Sequence, residues 1–334
     1  MDAADIRTRK LLTMHGGFHP KSNTQILYVS RKGSGRGLDG VKSTILQETH
    51  NIWEYVEKTA PHDPLLAEYH RQMDGGTTTR DTGVEWQTKP LHGMYHRQIA
   101  EVADIRKSYQ WLEKAGLRDS TEALIMAAQE QALSTRSVEA GIYNTRQDPR
   151  CRLCKDSPET IQHITSGCKM LAGNKYTERH NQVAIIVHRN ICREYGLQIP
   201  TTRWEVPQRV VENERAKILW DFPIQTDKHV IANRPDIVVV DKQDKTATVT
   251  DVAVPNDSNI KNKEHKKIDK YNYQGLREEM EKMWSVKAKV FPVVVGALGA
   301  VTPKLEEWPE QIPCRKPTEV LIQKSAILET ARIL

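Results

Sequence analysis

Two aspartates stand where a β-hairpin would bring their side chains together. The stretch 234–255, RPDIVVVDKQDKTATVTDVAVP, contains two runs of apolar and β-branched residues joined by a polar turn at 242–245, which is the pattern of a hairpin. A hairpin centred on that turn sets Asp236 opposite Asp251. Cross-strand neighbours have Cβ atoms about 4.5–5.5 Å apart, a separation at which two carboxylates can share one Mg²⁺.

Carboxylates arranged in this way predict metal-assisted hydrolysis of a phosphodiester. A divalent ion held between Asp236 and Asp251 can polarise a phosphoryl oxygen and lower the pKa of a bound water. The alternative interpretation is a surface hairpin with a solvated aspartate at each end, since short motifs have many chance matches.

A second group of chemically active residues lies upstream of the hairpin. Cys151 and Cys154 are followed by His163 and Cys168 in the pattern CxxC-x8-H-x4-C. Three thiolates and one imidazole at this spacing predict a structural Zn²⁺ with no open coordination position, and chance clustering is the alternative. Contact of this knuckle with nucleic acid is a separate hypothesis, because the basic residues that flank it would look the same if they were only solvated: Arg150, Arg152, Lys155 and Lys169.

Composition indicates an ordinary soluble globular protein. The chain has 334 residues, of which 38% are hydrophobic and 28% charged, enough for two or three domains. The net charge is +6, with the basic excess concentrated in residues 1–40 and 259–289, as suits a polyanionic partner. The sequence has no amino-terminal apolar segment and no run that could cross a membrane, so we expect neither secretion nor membrane insertion. Three of the five cysteines fall in the cluster, which favours an intracellular metal site over disulfides.

Hydrophobic periodicity predicts a mostly helical amino-terminal half and a mixed carboxyl-terminal half, an α+β to α/β fold. In the first half we expect a strand at QILYVSRK (25–32), a flexible turn at GSGRGL (33–38) and a glycine–threonine linker at 75–79. The second half is predicted to contain, besides the hairpin, a helix at 177–195 with Thr177 as its N-cap, a strand at 216–225, a helix at 262–284, a buried strand at 291–297 and a helix at 317–334.

The order of these motifs resembles a known family. A CCHC cluster upstream of an RPD-x14-D pair is similar to the carboxyl-terminal region of non-LTR retrotransposon reverse transcriptase polyproteins that carry a PD-(D/E)xK restriction-like endonuclease. The stretch ERHN (178–181) resembles the start of the helix that follows the knuckle in that family. The order HPKS…LYVSRKGSGRGL resembles the region after the polymerase palm. The likeness covers essentially the whole chain.

The resemblance implies four regions. They are a remnant of the polymerase thumb and linker at 1–80, a helical linker at 81–149, the CCHC zinc knuckle at 150–175, and at 176–334 a restriction-endonuclease-like mixed sheet flanked by helices. Polymerases of the family need two adjacent aspartates on a palm hairpin, and this sequence contains no such pair. We therefore expect no polymerase activity from this chain.

Within the last region the resemblance assigns Asp236 and Asp251 to a catalytic Mg²⁺. The motif lysine would stand two residues after the second acid, where this sequence has Ala253. Restriction-like nucleases that lack this lysine often take its charge from the following helix, and the candidates in order of preference are Lys270 and Lys266. Many also take a third carboxylate from near the first helix, for which two candidates stay open: Glu194 and Glu214.

The implied function is Mg²⁺-dependent nicking of DNA in the nucleus by a zinc-containing protein. DNA is the expected partner, with the RNA of the element as a second one, and neither a membrane nor a small-molecule substrate is expected. The alternative is a catalytically lapsed nucleic-acid-binding remnant or a domesticated zinc-knuckle protein, which Ala253 in the lysine position favours. A third interpretation is a purely structural helical zinc protein with no affinity for DNA.

Overall fold

One five-stranded mixed sheet forms the centre of the carboxyl-terminal half, and the amino-terminal half is helical. The computed structural model describes residues 2–72, 85–199, 202, 205–273, 275–307 and 318–334. At this level the predicted mixed α/β class is confirmed. No helix within those ranges is long and apolar enough to cross a membrane.

An apolar core that includes Leu27, Ile99, Trp111 and Ile125 joins several helices of the amino-terminal half. In chain order the helices are α1 (Asp2–Met14), α2 (Gln25–Tyr28), α3 (Val41–Thr59), α4 (Pro64–Gln72), α5 (Glu85–Thr88), α6 (Met94–Ala100), α7 (Ile105–Ser108), α8 (Gln110–Lys114), α9 (Asp119–Gln129) and α10 (Arg136–Gly141). The same core also contains Ile327, near the carboxyl terminus. The two halves of the chain are therefore packed against each other.

The segment between the two halves contains the knuckle and leads into a long helix. It has a π-helical turn at His163–Gly167, the short α11 (Lys169–Leu171), a second π-helical turn at Ala172–Tyr176 and then α12 (Thr177–Glu194). This last helix stops close to the predicted place because Gly196 adopts φ +65°, a conformation that glycine accepts readily.

The sheet contains β1 (Val210–Glu212), β2 (Ala216–Trp220), β3 (Ile237–Asp241), β4 (Thr246–Ala253) and β5 (Lys287–Val294), in that order across the sheet. Strands β1 to β4 are antiparallel to their neighbours, and β5 runs parallel to β4. Ile237 pairs with Thr250 and Val238 with Val249. The predicted hairpin register is thereby confirmed.

Helices cover both faces of the sheet. On one face, α12 and α15 (Thr318–Ile333) enclose a core that includes Val187, Ile237 and Ile322. On the other face, α13 (Ile260–Asn272) and α14 (Leu276–Trp284) pack over a core that includes Val249 and Met280. Because side chains alternate along a strand, Asp251 leaves β4 on the same face as Val249, toward α13.

The predicted strand at 25–32 is wrong. Residues 25–28 form the helical turn of α2, with Ile26 and Leu27 both buried in the amino-terminal core. A strand would have pointed these two neighbours to opposite faces, and none of the five strands in the described residues pairs with this segment. In the following loop a Cβ on Gly35 would lie 2.2 Å from the Val29 carbonyl oxygen, so the glycine permits this close approach.

Four other elements differ from expectation. The helix predicted at 262–284 is two helices, because the chain turns at Gly275 with φ +85°. The strand predicted at 216–225 ends at Trp220, before Asp221 with φ +43°.

Thr177 is not an N-cap, since its own backbone is helical and its hydroxyl donates to the Ala172 carbonyl. The edge strand β1 was not predicted. The predicted linker at 75–79 and the start of the helix predicted at 317–334 lie outside the described residues.

A buried carboxyl group in the helical half gives a pH-dependent stability. Glu130 is 1% exposed, and its Oε1 accepts a hydrogen bond from the Asn23 main-chain N–H. Burial raises its pKa from 4.5 to about 7, and hydrogen bonds from Ser22 and Asn23 offset burial only in part. Since the folded state holds the proton more tightly than the unfolded state, stability is highest below the unfolded pKa and falls as pH rises through about 7.

We expect Glu130→Gln to remove this pH dependence. Relative to wild type, the free energy of unfolding of the variant should rise by on the order of 2 kcal/mol between pH 5 and pH 8, as measured by urea denaturation at both pH values. Glu113→Gln, at an exposed position of the same half, serves as the control and should follow wild type. A variant that parallels wild type across this range would show that Glu130 ionises without cost.

Candidate metal centres and the cleft between them

The four predicted zinc ligands converge. Their ligand atoms all lie within 4.8 Å of one another. The Sγ atoms of Cys151 and Cys168 are 3.9 Å apart, and Cys154 Sγ is 3.3 Å from His163 Nε2. A tetrahedron with Zn–S bonds of about 2.3 Å has S–S edges of about 3.8 Å, so this cluster can hold a zinc ion. Among the described residues it is the one group of three or more such side chains.

Local electrostatics prepare one of the thiols for metal binding. Hydrogen bonds from the main-chain N–H groups of Ser157 and Asp156 lower the pKa of Cys154 to about 6. Burial raises the pKa of Cys168. Because thiolates are the zinc ligands, Cys154 is predisposed to bind and Cys168 gives up its proton as the metal enters.

Glu159 fixes the turn that carries the first two cysteines. Its carboxylate accepts hydrogen bonds from the main chain and guanidinium of Arg152 at 2.6–2.9 Å, and from the Arg136 main-chain N–H at 3.1 Å. Burial opposes ionisation of Glu159, but the hydrogen bonds from Arg152 outweigh it and hold the pKa at about 2. The guanidinium of Arg152 is therefore engaged by an intramolecular ion pair with Glu159.

The other basic residues around the knuckle are mostly paired as well. Lys169 forms an ion pair with Asp156, and Arg150 forms one with Asp148. Lys155 is exposed. These pairs leave less positive charge for a nucleic acid at the knuckle than the sequence suggested.

Tyr176 ties the knuckle to α12. Its hydroxyl lies 2.7 Å from the Ile164 carbonyl oxygen and 3.1 Å from that of His163, and it accepts a hydrogen bond from the Cys168 main-chain N–H at 3.1 Å. Tyr176 directly precedes the first turn of α12. These hydrogen bonds therefore link the Cys/His cluster to that first turn.

At the other centre, Asp236 and Asp251 are adjacent. Their carboxyl groups lie within hydrogen-bonding reach of each other, across the open end of the β3–β4 hairpin. The side chain of Asp251 is 4% exposed and that of Asp236 20%. Asp236 Oδ2 accepts a 2.6 Å hydrogen bond from the Val252 main-chain N–H. The hairpin thus presents two carboxyl groups side by side, largely out of water.

Two lysines of α13 approach this pair. Lys267 Nζ lies 2.8 Å from Asp251 Oδ2, and Lys270 Nζ lies 3.3 Å from the same oxygen. Lys270 also donates a 2.7 Å hydrogen bond to the Tyr271 hydroxyl. Lys267, which the sequence did not single out, is therefore the closer cation, and Lys270 shares its ammonium group between Asp251 and Tyr271. Lys266, the second choice from sequence, is exposed.

Because Asp236 and Asp251 are close together, their pKa values shift in opposite directions. Burial raises the pKa of Asp251, and the neighbouring Asp236 raises it further. Burial also opposes ionisation of Asp236, but hydrogen bonds from His180, Asp251 and Val252 outweigh it and lower its pKa. Like charges at this distance cannot both ionise without cost. Asp251 is therefore the weaker acid of the pair, although the charge of Lys267 favours its ionised form.

Neither residue proposed for a third carboxylate lies near the pair. Glu194 stands at the far end of α12 from His180, about 20 Å away along the helix axis. Glu214 precedes β2, whose Ala216 pairs with Asp241 at the opposite end of β3, about 15 Å from Asp236. That expectation is wrong for both glutamates. The first helix presents His180 instead, with Nε2 3.1 Å from Asp236 Oδ2.

A cleft of about 690 Å³ separates the two centres. The knuckle lines it with His163 and Gly167, the first turn of α12 with His180, and α13 with Lys263 and Lys267. Its lining residues, all in the described part of the chain, include no aspartate or glutamate. The cleft is therefore suited to an anionic ligand, and three of its lining residues contact the aspartate pair: His180, Val252 and Lys267.

His180 and Lys267 are the site residues that sequence reasoning missed. Both carried a signal: His180 belongs to the ERHN stretch, and Lys267 belongs to the basic helix that was expected to supply a lysine. The sequence did not reveal which face of α13 meets the sheet. Ala253 is buried and lines the cleft, so its position faces the site as strand alternation predicts, without a side chain that could reach a phosphate.

Comparison with known proteins assigns no family. No protein-family model matches the chain, and no curated protein sequence matches it. What the protein does is therefore inferred from the side chains and distances of the site.

We expect the purified protein to bind one zinc ion, because four ligand atoms already stand at tetrahedral spacing. Cys154→Ser should abolish this binding, since a site with three ligands loses most of its affinity. Metal content by mass spectrometry under native conditions, together with a colorimetric assay of zinc released by a thiol-modifying reagent, measures it. Cys192→Ala, which removes a buried cysteine of α12 outside the cluster, should retain the zinc. Equal zinc in both variants would contradict the assignment.

Proposed function

We propose that this chain is the carboxyl-terminal part of a non-LTR retrotransposon protein and that it nicks DNA in a reaction dependent on Mg²⁺. The observation that carries the proposal is the contact between the carboxyl groups of Asp236 and Asp251, with Lys267 2.8 Å from the second of them. Two acids and one lysine at a buried strand end form the minimal set for hydrolysis of a phosphodiester.

The surrounding fold supports a restriction-like nuclease. A hairpin that carries both acids is followed by the helices α13 and α14 and then by a buried strand parallel to the second hairpin strand. The motif-lysine position is occupied by Ala253, and Lys267 of the following helix contacts Asp251 and lines the same cleft as Ala253. This arrangement is what the interpretation of a relocated lysine requires.

The donor atoms suit the proposed ion. Carboxylate oxygens are the ligands that Mg²⁺ takes in proteins, and Asp236 and Asp251 would hold it. A bound Mg²⁺ would supply a Lewis acid at the phosphoryl oxygen and a water of lowered pKa. The other residues act without it: Lys267 places positive charge where negative charge develops on the phosphate, and the buried strands around Asp251 exclude bulk water.

The substrate is proposed to be nuclear DNA, with the RNA of the element as a second partner. The cleft between the knuckle and α13 supports a polyanionic ligand, because Lys263 and Lys267 line it and no acidic side chain of the described residues does. The zinc knuckle has a structural role in this proposal: through Tyr176 it holds one wall of that cleft.

A second candidate function is a nucleic-acid-binding remnant that no longer cuts. It is favoured by the absence of a third carboxylate at either predicted position and by the two lysines that already occupy Asp251 Oδ2. In such a protein the lysines would neutralise the buried acid permanently, and the cleft would only bind.

Nicking of supercoiled plasmid by the zinc-loaded protein separates the two candidates. With Mg²⁺ or Mn²⁺ we expect wild type to produce open circles and Asp236→Asn to lose about 100-fold or more of the rate, because a site of two carboxylates that loses one no longer holds its ion. Asp244→Asn, at the turn end of the same hairpin, is the matched control and should nick as wild type does. A gel shift without nicking under either metal would favour the remnant, and no DNA binding at low salt would leave only a structural protein.

Replacement of single lysines tests which one serves the site. Lys267→Ala should slow nicking by about 10- to 100-fold, the usual cost of losing one group that stabilises transition-state charge, and Lys270→Ala should slow it less. Lys261→Ala, an exposed position at the start of the same helix, controls for the loss of general positive charge. Initial rates at saturating Mg²⁺ are the measurement, and a larger effect at Lys270 than at Lys267 would reverse the assignment.

A further inference from the structure

One side chain at the aspartate pair has no part in the reaction as proposed so far. His180 lies in the first turn of α12, on the cleft wall between the knuckle and the hairpin. Its ring nitrogen Nε2 is 3.1 Å from Asp236 Oδ2 and 3.2 Å from the Val252 carbonyl oxygen. Helix α12 packs on one face of the sheet, and the side chain of Asp236 points to the other face. His180 therefore contacts Asp236 past the end of the strand.

The backbone that carries His180 is firmly held. Tyr176, four residues earlier, is bonded to three main-chain groups of the knuckle. The neighbouring Arg179 is 1% exposed and donates to Thr330 Oγ1 and to the Val254 carbonyl oxygen. Because the residues on this side of the helix are anchored, the imidazole meets Asp236 from a fixed direction.

The hydrogen bonds place a hydrogen on Nε2 of the ring. Both neighbours of Nε2, the Asp236 carboxylate oxygen and the Val252 carbonyl oxygen, are acceptors. Nε2 must therefore carry a hydrogen and donate it. A nitrogen that donates in this way cannot at the same time accept a proton from an attacking water, so Nε2 is not the general base of the site. The other ring nitrogen, Nδ1, lies 3.1 Å from Asn181 Oδ1.

The same contacts orient the carboxylate. Asp236 Oδ2 receives two hydrogen bonds, one from His180 Nε2 and one at 2.6 Å from the Val252 main-chain N–H. With Oδ2 engaged by two donors, Oδ1 is the oxygen that a cation would bind. The second donor restrains Oδ2 more tightly than the Val252 N–H would alone.

We propose that His180 is a positioning residue: by its hydrogen bond to Oδ2 it fixes Asp236 so that Oδ1 is presented to the divalent ion shared with Asp251. This inference rests on the proposed function, because it assumes that the aspartate pair binds such an ion. Partners of this kind, which orient a ligand without touching the metal, contribute about 10- to 100-fold to metal affinity.

A pair of amide substitutions separates orientation from other roles. The side-chain amide nitrogen of glutamine can occupy the place of Nε2 and donate to Asp236, whereas that of asparagine occupies the place of Nδ1 and falls short. We therefore expect His180→Asn to weaken binding of Mn²⁺ about 10-fold or more and His180→Gln to stay within about threefold of wild type. Isothermal titration of the zinc-loaded protein with Mn²⁺ measures this without any nuclease assay, and Mn²⁺ competes poorly for the thiolates of the knuckle.

The controls distinguish this inference from the function on which it rests. Zinc content and far-ultraviolet circular dichroism should equal those of wild type in both variants, since the ring is on the cleft surface. If wild type binds no Mn²⁺, or if Asp236→Asn binds it as well as wild type, the proposed function fails. If Asp236→Asn loses binding but His180→Asn keeps it, only the positioning role is overturned. If Gln and Asn weaken binding equally, the imidazole itself is a ligand and the positioning role is likewise overturned.

Discussion

The repulsion between two neighbouring carboxyl groups in a poorly hydrated place is the constraint on which the site depends. Asp236 and Asp251 meet at the end of a hairpin where one is almost fully buried. Removing such groups from water disfavours their charged forms, and their mutual repulsion adds to that cost. The protein tolerates the pair because each carboxylate has favourable partners. Lys267 and Lys270 of α13 contact Asp251, and His180 and the Val252 N–H contact Asp236.

This arrangement gives each neighbouring element a defined task. The sheet brings the acids together, α13 brings positive charge, and α12 brings a donor that holds one acid in place. The knuckle contributes through Tyr176, whose hydroxyl contacts three main-chain groups between residues 163 and 168. A small cluster of metal ligands has too little apolar surface to be stable without its metal, and this Cys/His cluster also supports the first turn of the helix that reaches Asp236. Tyr176 and His180 of this segment thus connect the two centres, although the centres are far apart in sequence.

The parts of this site that depend on local rules could be predicted from sequence. The register of Asp236 and Asp251 follows from the period of two along a strand and from a short polar turn, and the zinc ligands follow from the spacing of Cys151, Cys154, His163 and Cys168. The parts that depend on how one element docks on another could not be predicted. The choice between Lys266, Lys267 and Lys270 requires the rotation of α13 about its axis, and the role of His180 requires knowing that α12 reaches the strand end. The amino-terminal half shows the same limit: the local pattern around Ile26 and Leu27 predicts a strand, and only packing against the surrounding helices explains why both side chains are buried.

The parallel pairing of β4 with β5 determines the order in which the site can be assembled. The hairpin closes through a turn of a few residues, an event on the microsecond scale, whereas the fifth strand can join only after α13 and α14 have crossed over the sheet. Contacts between distant parts of a chain form slowly because loop closure must come first. We therefore expect the two aspartates to meet before Lys267 docks beside them. Docking of the crossover would then bring positive charge to the hairpin end and remove that end from solvent.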